Sequence, residues 1–420
     1  MSFPSRAAAA ALLVAAASAC VQTRAITLAP LNVFEERYQQ PTQVEGLVRE
    51  LRMIDVTLDG AKVSLEALMT RPRVGGPWPL VLLSHGSPRA QNLRDSSPAT
   101  YSAQAIWFAS RGYAVAAVMR PGYGKSEGNN QSTTGPCTNR DYLKFSLSSA
   151  AVIAASRDAL VKEPWVDPSR VVLMGVSTGG LSSVAAATLV PVTAVVSFAG
   201  GSGSSSPDSV CQPERLVDAM RTLGETSRVP NFWIYAENDH FFGPQLARDM
   251  RDAYSANGAP VRFEMMPPFE DDGHTLVADV TLWAPKLESF LRELGLPTAE
   301  GVVVPRPVLP PGSFPGVGTR KALVKYFERD GFEKAFATNG RAWGSGRGRR
   351  TARDAIELAM VNCGKHATNC VVYAIGDALA PDAEARLAIA MQQKDTKPPP
   401  PPPAAGVLGG VVGGFALPRE

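Results

Sequence analysis

The sequence predicts a mostly parallel α/β sheet with helices on both faces, an antiparallel hairpin at its edge, and a small α+β unit after it. Three observations carry that reading. Apolar runs of strand length alternate with helix-length patterns as far as residue 295, as expected of strands buried beneath crossover helices. Asp59-Gly60 lies between two apolar stretches, a strong hairpin signal. A Pro- and Gly-rich segment then divides this alternation from a shorter stretch holding Cys363 and Cys370, and such a composition suits a linker. At 420 residues the chain has room for two or three units, one of them with a full core. An apolar fraction of 45% is ordinary for a globular protein. A net charge of +3 favours neither nucleic acid nor an anionic membrane surface as partner.

Residues 1–25 read as an export signal. Arg6 precedes an Ala-rich apolar run over residues 7–17, and Ala17-Ser18-Ala19-Cys20 follows. A positive start, an apolar centre and a small-residue cleavage site make such a signal. The run is short for a membrane-spanning helix. Cys20 after Ala-Ser-Ala also resembles a bacterial lipoprotein box, with Ala17 where leucine is usual. Lipidation of Cys20 would tether the protein to a membrane, whereas simple cleavage would release it into the periplasm. Both stay open, and either way the protein is expected outside the cytoplasm.

Residues 26–296 should form the large domain. Met53, Val56 and Leu58 lead into the hairpin turn, and Val63, Leu65 and Leu68 lead out of it. Strands are then expected at residues 80–83, 114–119, 171–174, 193–198, 232–236 and 261–265. Helices are expected around 99–111, 142–162, 178–189, 245–256 and 276–294. Residues 297–318 hold Pro297, Pro305, Pro307, Pro310, Pro311 and Pro315 and read as the linker. Residues 319–380 form the small unit, with Thr351 and Asp354 as a capping pair and a strand over 370–375. Residues 381–420, with unbroken proline over 398–403, read as a disordered tail. Arg347, Arg349, Arg350 and Arg353 read as a solvated basic loop rather than a binding patch.

The chemistry concentrates after the strand Val171-Val172-Leu173-Met174. It runs into Gly175-Val176-Ser177-Thr178-Gly179-Gly180 and then a helical pattern. Strand, sharp turn and helix around G-x-S-x-G are the setting of a nucleophilic serine. A side chain at 175 or 179 would meet neighbouring backbone, and the helix start aims free N–H groups at the site. The base is found by elimination among four histidines. His85 precedes the nucleophile, His366 lies in the small unit, and His240 sits beside the expected acid. His274, in Asp271-Asp272-Gly273-His274 after the last strand, satisfies the order serine, acid, histidine. Asp239, at the end of Ile234-Tyr235-Ala236-Glu237-Asn238-Asp239, is the first choice of acid, with Glu237 second and Asp208 third. The oxyanion donors expected are the backbone N–H groups of Thr178 and Ser87, the latter in Ser84-His85-Gly86-Ser87-Pro88.

Three segments carry a family resemblance. Pro79-Leu80-Val81-Leu82-Leu83-Ser84-His85-Gly86-Ser87-Pro88 resembles the H-G-x-P loop of α/β-hydrolases. Arg120-Pro121-Gly122-Tyr123-Gly124-Lys125-Ser126 resembles their R-G-x-G-x-S turn, with Pro121 for the usual first glycine. Trp165-Val166-Asp167-Pro168-Ser169-Arg170 resembles the approach to the nucleophile strand in dienelactone hydrolase-like and acetyl esterase-like members. The resemblance covers about residues 50–295 and implies the α/β-hydrolase fold, with an eight-stranded type of sheet. Dienelactone hydrolases carry cysteine as nucleophile, whereas this chain has Ser177, which favours ordinary ester hydrolysis. The small unit resembles a two-cysteine domain appended to various exported bacterial proteins.

Outside Cys20, four cysteines allow three pairings. Loops at 125–141 and 200–215 follow strand C-termini, where ligands bind in open α/β sheets, so a Cys137–Cys211 bridge would pin the site rim. A Cys363–Cys370 bridge would staple a unit too small for a large core. The expected function is that of a serine hydrolase acting on small-molecule carboxylic esters, with no metal or organic cofactor implied. A peptidase of the same fold and a non-enzymatic envelope-binding protein are the alternatives.

Overall fold

Asp59 and Gly60, with φ of 50° and 81°, turn the chain between two strands, as a tight hairpin requires. The computed structural model describes residues 31–89, 96–129, 135–304, 316–328 and 332–393. The export signal with Cys20, the centre of the linker and the proline run lie outside the described residues. After a short helix α1 (Glu36–Gln39), strands β1 (Leu47–Leu58) and β2 (Ala61–Pro72) pair antiparallel along their whole length. Then come β3 (Trp78–Ser84), α2 (Ser102–Ser110), β4 (Ala114–Val118), α3 (Tyr142–Leu160), β5 (Val166–Val176), α4 (Thr178–Ala186) and β6 (Ala194–Phe198). A small hairpin, β7 (Ser204–Ser206) and β8 (Ser209–Val210), leads to α5 (Pro213–Thr226), β9 (Asn231–Ala236), α6 (Pro244–Ser255), β10 (Val261–Met266) and α7 (Val280–Glu293).

The main sheet has eight strands in the order β1-β2-β4-β3-β5-β6-β9-β10, with β2 alone running opposite to the others. This is the α/β-hydrolase fold. Every residue of β3, β4, β6 and β9 is buried. Leu160, Leu181, Leu216 and Met250 cover one face from α3 to α6. Phe108, Trp283 and Leu287 from α2 and α7 cover the other. Parallel strands buried on both sides need such continuous apolar runs. Asp141 caps α3 by accepting the Lys144 N–H at 2.9 Å.

The small unit contains α8 (Val317–Glu328), β11 (Ala335–Thr338), β12 (Trp343–Gly346), α9 (Ala352–Gly364), β13 (Val371–Ile375), β14 (Ala378–Leu379) and α10 (Ala383–Gln392). Its four strands form an antiparallel sheet in the order β12-β11-β13-β14. Thr351 and Asp354 make the reciprocal capping box at the start of α9. The described residues from Asn32 onward form one compact unit.

Three expectations need correction. Residues 200–215 are not simply a loop: they hold the β7–β8 hairpin and the start of α5. The stripe Leu216, Ala219, Met220 and Leu223, buried in α5, follows helical spacing, and Pro213 stands in the first turn, where its missing N–H costs nothing. The tail does not begin at 381, because Ala383, Leu387 and Ala390 bury one face of α10 and Asn369 Nδ2 donates to Ala390 O at 2.7 Å. The linker is not a free spacer at its ends. Ser110 O accepts from the N–H groups of Gly301 and Val302 at 2.7 and 3.0 Å, and α8 already includes Val317 and Gly318.

Candidate active site

β5 delivers Ser177 at the C-terminal end of the sheet, directly before α4. Ser177 has φ 57° and ψ −121°, a strained backbone for a residue with a side chain. The surroundings enforce it. A methyl on Gly175 would lie 2.1 Å from Gly179 O, and one on Gly179 would lie 2.2 Å from Ser84 O. Only glycine allows β5, the turn and α4 to pack this tightly. Ser177 is 5% exposed, with its N–H donated to Phe198 O at 2.9 Å.

Asp239 follows β9 and is buried, and His274 follows β10. His274 Nδ1 lies 3.1 Å from Asp239 Oδ2 and 3.2 Å from Oδ1. Asp239 Oδ1 also accepts the N–H groups of Phe241 and Phe242 at 2.7 and 2.9 Å. Such donors fix the carboxylate, and the carboxylate fixes the imidazole. Asp272 laces the two loops together, since its Oδ1 accepts His240 N–H and His274 N–H, each at 3.0 Å. Phe242 bridges to the serine side. Its ring packs against His274 at 5.6 Å between centroids and against Gly201, whose N–H donates to Ser177 O at 3.1 Å. Of the other candidate acids, Glu237 is exposed and Asp208 pairs with His240 at 2.8 Å.

The loop after β3 lies against the serine. A methyl on Gly86 would lie 3.1 Å from Ser177 Cβ. Ser87 Oγ is held by Thr178 Oγ1 at 3.0 Å and receives hydrogen bonds from Arg120 Nη2 and Tyr123 OH, each at 2.9 Å. His85 is structural. Its Nε2 accepts Arg120 N–H at 3.0 Å, and its Nδ1 donates to Gly86 O at 2.6 Å. Burial, aided by the Arg120 charge, pushes its pKa well below the ordinary imidazole value.

The rim holds residues that sequence reasoning missed. Phe241 stacks on His274, 3.8 Å between centroids and 12° between planes. Arg89 lies over the Phe241 ring at 3.4 Å and donates to Ser204 Oγ and His240 O. Nothing local marks these contacts, because they join four segments distant in sequence. Asp272 had a signal: an aspartate before Gly-His at the start of a helical turn is a natural cap. Cys137–Cys211 and Cys363–Cys370 are both bridged. The first ties the 135–141 loop to the end of β8, so it braces the hairpin that Arg89 touches. Among the described residues, no three His, Cys, Asp or Glu side chains are grouped to hold a metal, and no helix is long and apolar enough to cross a membrane. A cavity of about 360 Å³ lies between residues 269–279 and α8, lined by Phe269, Glu270, Asp279, Lys321 and Lys325, with none of Ser177, Asp239 or His274 in its wall.

Residues 93–280 match the dienelactone hydrolase family. No curated protein matches the chain. An esterase from Pyrococcus furiosus is 14% identical, the match covering 59% of this chain and 91% of that one at a TM-score of 0.42. An α/β-hydrolase from a Penicillium species is 16% identical over 59% and 100% of the two chains, TM-score 0.45. An acylaminoacyl peptidase from Pyrococcus horikoshii is 15% identical over 61% and 43%, TM-score 0.44.

Proposed function

We propose that this chain, whose residues 93–280 match the dienelactone hydrolase family, is a serine hydrolase of that family that cleaves small carboxylic esters through an acyl-enzyme. The observation that carries the reading is Ser177 on its strained elbow, with the Asp239–His274 pair at the same end of the sheet. Asp239 accepts the His274 Nδ1 proton and leaves Nε2 as the base.

Ser177 Oγ attacks the ester carbonyl carbon while His274 takes the hydroxyl proton. The former carbonyl oxygen carries the negative charge of the tetrahedral intermediate, and the N–H groups of Ser87 and Thr178 stabilise it. Loss of one such donor typically costs about 3 kcal/mol of transition-state stabilisation. The carbon–oxygen bond to the alcohol breaks, and His274 returns the proton to the leaving oxygen. Water, giving its proton to His274, attacks the acyl carbonyl, and Ser177 leaves reprotonated. We also propose export. Two disulfides suit an oxidising compartment, and the mass of the mature N-terminus distinguishes a lipidated Cys20 from simple cleavage.

A fluorophosphonate probe should label Ser177 in the mature protein. Labelling should vanish in Ser177→Ala and slow strongly in His274→Ala, while nitrophenyl esters of rising chain length report the acyl preference. A folded wild-type protein that neither labels nor hydrolyses any ester of the panel overturns this reading and leaves an envelope-binding role.

A further inference from the structure

Glu66 is a carboxylate in a place where β2 has little reason to carry one. It lies mid-strand, and its side chain is 4% exposed. An ionised carboxylate out of water is costly unless it is paired and hydrogen-bonded. Its cation comes from far along the chain. Arg350, on the small C-terminal unit just before α9, places Nε 2.6 Å from Glu66 Oε1 and Nη2 3.1 Å from Oε2. The same Nη2 donates to Ser96 O at 3.1 Å. This two-point geometry is what a guanidinium offers and an ammonium does not.

Glu66 in turn holds the turn after β4. Its Oε2 accepts Lys125 N–H at 2.7 Å, its N–H donates to Ser126 Oγ at 2.9 Å, and its carbonyl accepts Met119 N–H at 2.9 Å. Gly124 passes so close that a methyl there would lie 2.4 Å from Glu66 Oε2 and 3.1 Å from Arg350 Nη2. Two side chains of that turn reach the loop beside Ser177. Tyr123 OH and Arg120 Nη2 both donate to Ser87 Oγ, and Arg120 Nη1 donates to His85 O at 2.6 Å. The path from the small unit to the oxyanion loop therefore runs through the Arg350–Glu66 ion pair, the hydrogen bonds of Glu66 to the turn, the short backbone of that turn and the side chains of Tyr123 and Arg120.

We infer that Arg350 is a positioning residue for the oxyanion loop, so that the C-terminal unit completes the active site of the hydrolase domain. The inference rests on the acyl-enzyme reading above. Without Arg350, Glu66 is left as a buried charge and the turn it holds relaxes. Ser87 then loses its fixed place, and misplacement of a stabilising group by about 1 Å costs on the order of a hundredfold in rate.

The test uses the full mature chain with nitrophenyl acetate and the fluorophosphonate probe. Arg350→Ala and Glu66→Gln should each lower kcat by about tenfold or more with KM nearly unchanged. The double variant should be no slower than the worse single one, as for two groups in one path. Tyr123→Phe, which removes one hydroxyl at the far end of the path, should lower kcat while the urea midpoint stays put. Arg353→Ala, on the same basic run but bonded to Glu357, should leave kcat unchanged. An Arg350→Ala protein that folds with kcat within about twofold of wild type overturns the inference. If that variant does not fold, an unchanged kcat in Tyr123→Phe overturns it instead. A wild-type protein without labelling or turnover defeats the acyl-enzyme reading itself, and this inference falls with it.

Discussion

His85 and His274 are the same residue in two environments. His274 lies in the first residues of a 3₁₀ turn, its side chain 10% exposed, with a carboxylate on one ring nitrogen. His85 is buried with both nitrogens engaged by backbone. Its folded pKa lies well below the ordinary 6.5 because burial disfavours the imidazolium. The unfolded chain therefore binds the extra proton as the pH drops below about 6.5. The stability tied to His85 is complete above that pH and is lost on the acid side. His85→Gln should accordingly show a smaller fall in urea midpoint than wild type between about pH 7.5 and about pH 5.5. An equal fall in both proteins would show that His85 is not the group responsible. Choosing between these histidines was possible in the sequence, because chain order placed His85 before Ser177. The ring contacts of Phe241 and Arg89 were not legible there, because they arise only when four loops meet.

Among the elements, the main-sheet strands were legible and the rim was not. Continuous apolar runs announce the central strands, buried on both faces, and Asp59-Gly60 announces the edge hairpin, so all eight were expected near where they lie. The Gly- and Ser-rich run over residues 200–206 masked the β7–β8 hairpin, whose residues face solvent in part and carry no apolar period. The hairpin keeps its place through Cys137–Cys211, which spans 74 residues, whereas Cys363–Cys370 spans 7. In the chain-entropy picture, closing the longer loop stabilises by roughly 4 kcal/mol and the shorter by roughly 2 kcal/mol. Replacing Cys137 and Cys211 by serine should thus lower the unfolding free energy more than replacing Cys363 and Cys370. Urea unfolding of the oxidised proteins checks the order, and the reverse order would contradict it.

At the scale of the molecule, the small unit is fastened to the hydrolase domain by charges withdrawn from water. Arg49 and Glu333 pair at 2.7 Å with both side chains fully buried. Ser102 Oγ joins them, accepting from Arg49 Nη2 at 2.7 Å and donating to Glu333 Oε2 at 2.5 Å. A buried pair is costly to form but more costly to break, since one charge is left alone. Glu333→Ala should lower the unfolding free energy by about 3–5 kcal/mol, and Arg49→Met with Glu333→Leu should recover much of it. A loss under about 1 kcal/mol in the single variant would mean that water reaches Arg49. The basic run around Arg350 belongs to the same story. Read locally it is a solvated loop, and Arg353 pairs with Glu357 in solvent, yet Arg350, its side chain 14% exposed, is bonded to the buried Glu66.

The sequence by itself determined the parallel sheet, the serine elbow and the short list of acids and bases. These follow from apolar period, turn chemistry and chain order, which act over a few residues at a time. Tertiary structure alone decided that Asp239 rather than Glu237 or Asp208 meets His274. It also decided that Phe241 backs that ring and that Arg350 and Glu333 reach into the hydrolase domain. The reason is physical: a charge finds its partner across the fold, between residues separated by 284 positions in both ion pairs. Burial, which makes such a pair necessary, exists only once the chain has closed around it.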